Sequence, residues 1–420
     1  MKGGECMRKV ETADIAVLGG GASGLAAAVS VLETYNCRLI VAERLDRVGK
    51  KLLATGNGRC NLSNRSLSAE AYSGSVKNMM QIIGKSVDTE DFFMSMGMLC
   101  VSDSEGCIYP RSNSASSVLD ALRIKLKELG GEELCGFDVK NIRTESDGFT
   151  LVSDSGEIEC KRLIIAAGGY ASPVFGTDGT VMRILRNMGY KTSKICPAAA
   201  PLRVSQEQIR GLKGVRAKCT VKAVSDGMIL REESGEIQFT DNALSGICVF
   251  NLAKYLSGYD GRLILSADFC PDMSENKLTE FLCLAQSARY NCSLDDFLTG
   301  LLTKKLASYI MKRSVGRLLT ESVSELKYAD LKRISHDIKN LDFNISGASP
   351  WQNAQVTFGG IHGSCVDKRL ESKLHKGMYL CGEILDVTGD CGGFNLQWAW
   401  SSGRLAGSSC AESLRAEELK

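Results

Sequence analysis

Gly19, Gly21 and Gly24 stand at GxGxxG spacing, and Glu43 follows 19 residues after the last of them. The first glycine of such a set turns the chain sharply, the second lets the backbone approach a pyrophosphate, and the third lets a helix pack on a sheet. A carboxylate at the distance of Glu43 accepts hydrogen bonds from an adenosine ribose and repels a 2′-phosphate, so the chemistry is dinucleotide binding of the FAD or NAD kind. Ala22 and Ser23 lie within the turn, where the free N–H groups of a helix start face the phosphates. A second set lies in TGNGRCN, Thr55 to Asn61, where Gly58, Arg59, Cys60 and Asn61 offer N–H groups and a guanidinium to a phosphate or a flavin edge.

A third set closes the chain. Gly382 and Glu383 end a strand-like run, where a carboxylate suits a ribityl hydroxyl. Gly392, Gly393, Phe394, Asn395 and Leu396 open a helix whose N-terminal amides suit the negative charge that develops on a flavin pyrimidine ring during reduction. The absent side chain at Gly393 leaves room for that ring. A plain NAD domain has no need of this return, whereas FAD is long enough to run from the first glycine turn to the last helix. The chain has one full GxGxxG, so no second built-in nicotinamide domain is expected.

The elements that must position these residues follow from periodicity. Ile15 to Leu18 is an apolar run of buried-strand type, Leu25 to Leu32 is helical and Arg38 to Ala42 is a second strand. The run Arg162 to Ala167 ends in AAGG, with Gly168 where a backbone can pass close to a dinucleotide. Between them lie helical patterns around Val76 to Met96 and from a cap at Ser116 to Leu129, then a strand Gly136 to Arg143 and a hairpin Phe149 to Ser153 and Glu157 to Cys160. From Ala198 to about Gly261 short strand-like runs, among them Val221 to Val224 and Met228 to Glu232, suit a small β-barrel or sandwich. Ser274 to Asn340 is amphipathic helical, with Leu302, Leu306 and Ile310 on one face. Ala354 to Ile361 and Lys376 to Cys381 are strands that rejoin the opening fold, and Gly403 and Gly407, four apart, permit close helix packing.

At 420 residues the chain exceeds one compact core, and its 44% hydrophobic and 24% charged content is that of an ordinary soluble protein of two or three domains. The formal charge of +2 is scattered, so no basic stripe points to nucleic acid or an anionic membrane. No signal-peptide core and no run near the roughly 20 residues that span a bilayer occurs, which predicts a cytoplasmic protein without membrane insertion. Met7 is an alternative start to Met1. The 17 cysteines contain no CxxC pair and are expected to be reduced thiols; with three histidines, His336, His362 and His375, no metal is expected.

GGGASG, KKLLATGNGRCNLSN, the AAGG strand with its GTDGT turn, GEIQFTDNALSG, AQVTFGGI and GEILDVTGDCGGFNLQWAWSSGRLAG together carry a resemblance to the HI0933-like flavoproteins. Members of that family include an enone reductase acting on the 4,6-diene of 3-oxo bile acids and proteins labelled aminoacetone oxidase-like. The resemblance implies an α/β fold: a discontinuous Rossmann-like FAD-binding domain over 1–196 and 355–420, an inserted β-barrel over 197–265 and 341–354, and an inserted helical domain over 266–340. It implies FAD contacts at Gly21 to Gly24, Glu43, the Lys50 to Asn61 loop with Lys51, Val139 beside the adenine, Gly382 with Glu383, and Gly392 to Leu396; Arg44 and Asp386 complete the set. FAD is expected to be non-covalent, since no His or Cys sits in an attachment motif, with NAD(P)H as transient electron donor. The expected substrate is small and apolar, such as a 3-oxo-4-ene or 4,6-diene bile acid intermediate. Flavin would pass hydride to the β-carbon, with Tyr109 or Asp241 as proton donor. The alternatives are an amine oxidase, with Asp241 holding a cationic amine, and a flavin-binding RNA-modification or scaffold protein. Relatives commonly carry His at the position of Asp241, Pro at Ile247, Arg at Cys107 and Phe at Tyr109, changes on the expected substrate side, so the resemblance carries over FAD but not a particular substrate.

Overall fold

The computed structural model describes residues 9–256 and 263–419, so the choice between Met1 and Met7 lies outside the described residues. The chain forms two compact units: Pro197–Gln355, and a unit made from the chain on either side of it.

The first unit is built on β1 (Lys9–Leu18), whose apolar end is buried on both faces, as parallel strands covered by helices are. β1 pairs in parallel with β2 (Leu39–Glu43) on one side and Gly156–Ile165 on the other. Beyond β2 lies Glu132–Cys135. The strand Gly156–Ile165 changes partner midway: Glu157 to Cys160 pair antiparallel with the hairpin, and Leu163 to Ile165 pair in parallel with Met378–Leu380. The register sets Leu18 beside Ala42 and Ile165, and Ile165 beside Leu380, so four carboxyl ends share one edge. In open parallel sheets that edge is where ligands bind.

The helix α1 (Ala22–Thr34) is buried from Ser23 through Leu32, with no solvent face. Its alanines allow close approach by the sheet and by the C-terminal helix Phe394–Glu418. Where the helices cross, a Cβ on Gly403 would stand 2.4 Å from the Ser23 carbonyl oxygen, and one on Gly407 2.3 Å from that of Ala27. Both glycines are therefore fixed by the backbone of α1.

Several expected boundaries shift. The pattern from Val76 to Met96 forms two helices, Met79–Ile83 and Ser86–Met94, because Gly84 takes a φ of +63° and the Asp88 carboxylate caps the Lys85 N–H at 2.8 Å. The next helix, Ala115–Glu128, is entered through Ser114 rather than Ser116. Glu157 to Cys160 and the following apolar run are one strand, and the two late strands shorten to Val356–Phe358 and Met378–Leu380, where Gly359 turns out of line at φ +81°.

In the second unit seven strands run in the order Leu341–Ile345, Leu263–Asp268, Arg216–Ser225, Met228–Phe239, Ala243–Ser245, Leu202–Arg203 and Gly347–Ala348. The two end strands are joined through Ser346 alone, so the sheet must curl until its edges meet, as a barrel does. Its longest hairpin turns at Asp226 and Gly227, both with positive φ, the requirement of a tight two-residue turn. The helices Glu275–Ala288, Lys304–Val315 and Tyr328–Lys339 share one apolar core with the sheet, and Leu306 and Ile310 are fully buried while Leu302 precedes its helix. The helix Ile247–Leu256 falls within the stretch expected to hold strands and turns; Cys248, Val249, Leu252 and Ala253, at helical spacing and all buried, were its signal. No helix among the described residues is long and apolar enough to cross a membrane.

Candidate cofactor site

At the carboxyl edge of the first unit's sheet the glycine turn divides its tasks. Gly19 adopts φ +109°, and a Cβ there would lie 2.5 Å from the Ala166 carbonyl oxygen; one on Gly24 would lie 1.9 Å from that of Gly19. A Cβ on Gly21 would meet no atom within 4 Å. The outer glycines are thus demanded by packing, while the middle one presents an open backbone face at the start of α1, the cradle a pyrophosphate needs. Glu43 is aimed by two backbone donors: Gly20 N–H reaches Oε2 and Leu45 N–H reaches Oε1, each at 2.9 Å. Ala22 and the buried Ser23 lie in the first turn of α1, and Val139 is buried at the start of its strand. Gly168, at φ +70°, faces Thr177.

Arg44 is committed to the protein. Its guanidinium meets Asp178 at 2.8 Å, Asp138 at 3.3 Å and the Gly176 carbonyl at 3.0 Å, which ties down the GTDGT turn. Burial is the largest influence on both Arg44 and Asp178 and opposes their charges, but their mutual hydrogen bond, together with Asp138 and Glu43 near the arginine and Thr180 at the aspartate, outweighs it and holds the arginine above and the aspartate below its ordinary pKa.

Lys51, on α2 (Lys50–Ala54), forms an ion pair with Glu383 at 2.7 Å, and the other Glu383 oxygen accepts the Thr357 N–H at 2.8 Å. Gly382 is fixed by Ser23, whose hydroxyl would stand 2.2 Å from any Cβ there. The C-terminal helix grips the same residue: Ser402 Oγ accepts its N–H at 2.9 Å, and Trp398 Nε1 donates to its carbonyl at 3.0 Å.

The TGNGRCN loop is a left-handed turn, with positive φ at Gly56, Asn57, Gly58 and Cys60. Its N–H groups at Arg59 and Cys60 close the turn on Gly56 and Thr55, so they are not offered outward as the composition suggests. The Cys60 thiol is buried and pushed up to about 12 by that burial. Gly58 remains open on its side-chain face, and the Arg59 guanidinium lies 4.8 Å above the Tyr109 ring. Tyr109 is half-buried; burial and the neighbouring Cys107 raise its pKa above 10.0, against the pull of Arg59.

At the entry to the C-terminal helix, a Cβ on Gly393 would strike the Ser63 carbonyl oxygen at 2.3 Å. Glycine is required there by the protein's own backbone, not only by room for a ring. Asn395 clasps the preceding turn through Gly389 N–H and Gly389 O, both at 2.8 Å; Phe394 packs edge-on against Tyr72; Leu396 is half-buried in the same turn. Asp386 is buried and accepts the Ser193 hydroxyl, a structural engagement. Asp241 lies in the second unit, exposed and paired with Lys213 at 2.7 Å.

Four participants escaped the sequence reading: Asn64, Thr357, Gln397 and Trp398. Gln397 is wholly buried, accepts from Ser63 and Thr89, and donates to Ile83 and Ser401. A lone amide between apolar residues in FNLQWAW was the available signal.

These residues fit a flavin dinucleotide: an open glycine turn at a helix start, a carboxylate held beside it by two backbone donors, and a second helix start beside a left-handed loop. The family model described as HI0933-like protein Rossmann domain matches residues 13–409. The 3-dehydro-bile acid delta(4,6)-reductase of Clostridium scindens is 35% identical over 95% of this chain and 99% of its own length. The ribosomal RNA dihydrouridine synthase of Escherichia coli is 25% identical over 94% of this chain and 96% of its own, so the expected exclusion of nucleic acid loses its support. Among solved structures, 3-ketosteroid delta1-dehydrogenase from Sterolibacterium denitrificans, in complex with 1,4-androstadiene-3,17-dione, has a TM-score of 0.54 at 12% identity, covering 96% of this chain and 100% of that one. At that identity the likeness is one of fold.

Proposed function

We propose, from the premise that this chain belongs to the HI0933-like family, that it is an FAD-dependent oxidoreductase reducing a carbon–carbon double bond conjugated to a carbonyl. The observation that carries the reading is the glycine turn, closed at Gly19 and Gly24 and open at Gly21, with Glu43 aimed beside it. When bound, FAD supplies the hydride that adds to the electrophilic β-carbon.

The chain's residues do the rest. The N–H groups at the start of α1 hold the pyrophosphate, and Glu43 takes the ribose hydroxyls. Glu383, shared between Lys51 and the Thr357 N–H, is the acceptor for the ribityl chain. The start of the helix Phe394–Glu418 stabilises negative charge on the ring. Tyr109 donates the proton to the α-carbon or the carbonyl oxygen, and its raised pKa keeps that proton in place at neutral pH. NAD(P)H serves as electron donor.

The identity to the bile acid reductase supports a 3-oxo-4-ene or 4,6-diene steroid as substrate. A second reading rests on the dihydrouridine synthases, at 25% and 24% identity. The C5=C6 bond of uridine is also conjugated to a carbonyl, so the two readings share one reaction and differ in what presents the bond. The amine oxidase alternative is weakened by Asp241, whose carboxylate already pairs with Lys213.

Anaerobic stopped-flow of the NAD(P)H-reduced holoprotein tests the proposal. Reoxidation by 3-oxo-4-ene steroids, with isolated alkenes inert, is the expected result. Reoxidation by uridine-containing RNA alone selects the second reading. Failure with both, alongside reduction of the oxidised flavin by amines, overturns the reductase.

A further inference from the structure

We propose that Asn61, Asn64 and Cys107 form a clamp on the Gly392–Gly393 peptide and, as positioning residues, set how strongly the site favours reduced over oxidised flavin. The inference rests on the FAD reading and adds to it the device that aims the second helix.

Asn64 Nδ2 donates to the Gly392 carbonyl at 2.9 Å, and the Cys107 thiol lies 3.8 Å from the same oxygen. On the opposite face of that peptide stands the Asn61 amide, assigned in the orientation that gives both its ends complementary partners: its oxygen then accepts the Gly393 N–H at 3.2 Å, and its nitrogen donates to Ser63 O at 2.9 Å and Ile108 O at 3.2 Å. The C=O and N–H of a trans peptide point in opposite directions, so side chains hold this one unit from both sides.

The unit needs holding. Gly392 and Gly393 adopt φ of +122° and +97°, where glycine moves freely and a peptide plane rotates with little steric resistance. The clamp itself is rigid. Asn64 and Cys107 are cross-strand partners in the register of Ser63–Asn64 with Cys107–Pro110, and Asn64 Oδ1 accepts the Ser66 N–H at 2.8 Å. Asn64 Nδ2 also lies 3.7 Å from the Cys107 sulfur, which closes a triangle with Gly392 O.

Gly393 is the entry residue of the helix Phe394–Glu418, so the plane of its peptide fixes where the first free N–H groups of that helix point. Their partial positive charge interacts more strongly with a ring that gains negative charge on reduction than with the neutral oxidised ring. Loosening the peptide therefore weakens the reduced state selectively. Loss of a merely structural contact would lower both affinities together.

The test is the midpoint potential of the FAD-loaded full-length protein, measured by dye equilibration in the wild type, N64A, N64D, C107A and C107S. N64A is expected to shift the ratio of reduced to oxidised flavin affinity about tenfold against the reduced form, about 30 mV downward for a two-electron couple. N64D keeps the acceptor for Ser66 but replaces the donor with an anion facing Gly392 O, so it shifts further the same way. C107A shifts by about twofold and C107S, which retains a donor, restores the wild-type value, as suits a weak sulfur contact. Flavin held at wild-type potential in N64A and N64D overturns the clamp and leaves the FAD reading intact. If neither Asn64 variant folds, equal potentials for C107A and C107S overturn it. A wild-type protein that holds no flavin overturns both.

Discussion

Replacing Glu43 with Ala separates two roles of one carboxylate. In the protein alone, Glu43 accepts N–H groups from Gly20 and Leu45 at 2.9 Å each. Hydrogen bonds to a charged acceptor contribute about 1.5–3 kcal/mol each, and the half-exposed position lets water recover part of that, so the lower end applies to both. Glu43→Ala should therefore lower unfolding free energy by about 3 kcal/mol before any cofactor is added. If Glu43 takes the ribose hydroxyls as proposed, the same change costs about 1–3 kcal/mol of binding, a rise in FAD dissociation constant of about 5- to 150-fold. Glu43→Gln keeps an oxygen for one N–H but turns an NH2 toward the other, so it should lose about half the stability while losing most of the charge-dependent affinity. Urea unfolding of the cofactor-stripped protein reads the first effect, and titration with FAD reads the second. Wild-type unfolding in Glu43→Ala refutes the reasoning about the two amides. Lowered stability with unchanged FAD affinity removes Glu43 from the ribose.

Gly403→Ala should lower stability by about 1–3 kcal/mol, because its methyl group would force the helix crossing apart at Ser23; a melting temperature equal to wild type counts against that crossing. Gly393→Ala should reduce both flavin content and stability, since the Cβ meets Ser63 O at 2.3 Å in a left-handed conformation; full flavin occupancy in a folded variant contradicts the close approach. If Tyr109 is the proton donor, its raised pKa places the alkaline limb of enone-dependent flavin reoxidation above pH 10.0, and Tyr109→Phe should abolish that limb and slow the step about 10²- to 10⁴-fold. A limb that survives in the variant assigns the proton to another group.

The glycine turn was legible because its demands are local: a turn, a helix start and a carboxylate at fixed spacing each leave a mark in residue type. Gly403 and Gly407 were legible for the same reason, their spacing being one helical turn. The split at Gly84 was missed because an apolar stripe continues across it, and only the φ of one glycine and the cap from Asp88 reveal the break. Arg44 carried a residue type that suits a phosphate, but its partner Asp178 lies far away in sequence. The clamp on Gly392 was beyond reach for a related reason. Asn61, Asn64, Cys107 and Gly392 come from three distant segments, and nothing in their spacing says that strand pairing and a helix start bring them together.

The crossing of α1 with the C-terminal helix places a constraint on synthesis. Ser23 and Ala27 leave the ribosome well ahead of Gly403 and Gly407, which cover them and are made only after all of Pro197–Gln355. At about 5–20 residues per second this delay is on the order of 20–80 seconds. Throughout it the apolar flank of α1 lacks its permanent cover, whereas Pro197–Gln355 is one continuous stretch able to fold as soon as it is complete. The unit that begins first is thus finished last, and during translation its opening segment is a natural client for chaperones that bind exposed apolar helices.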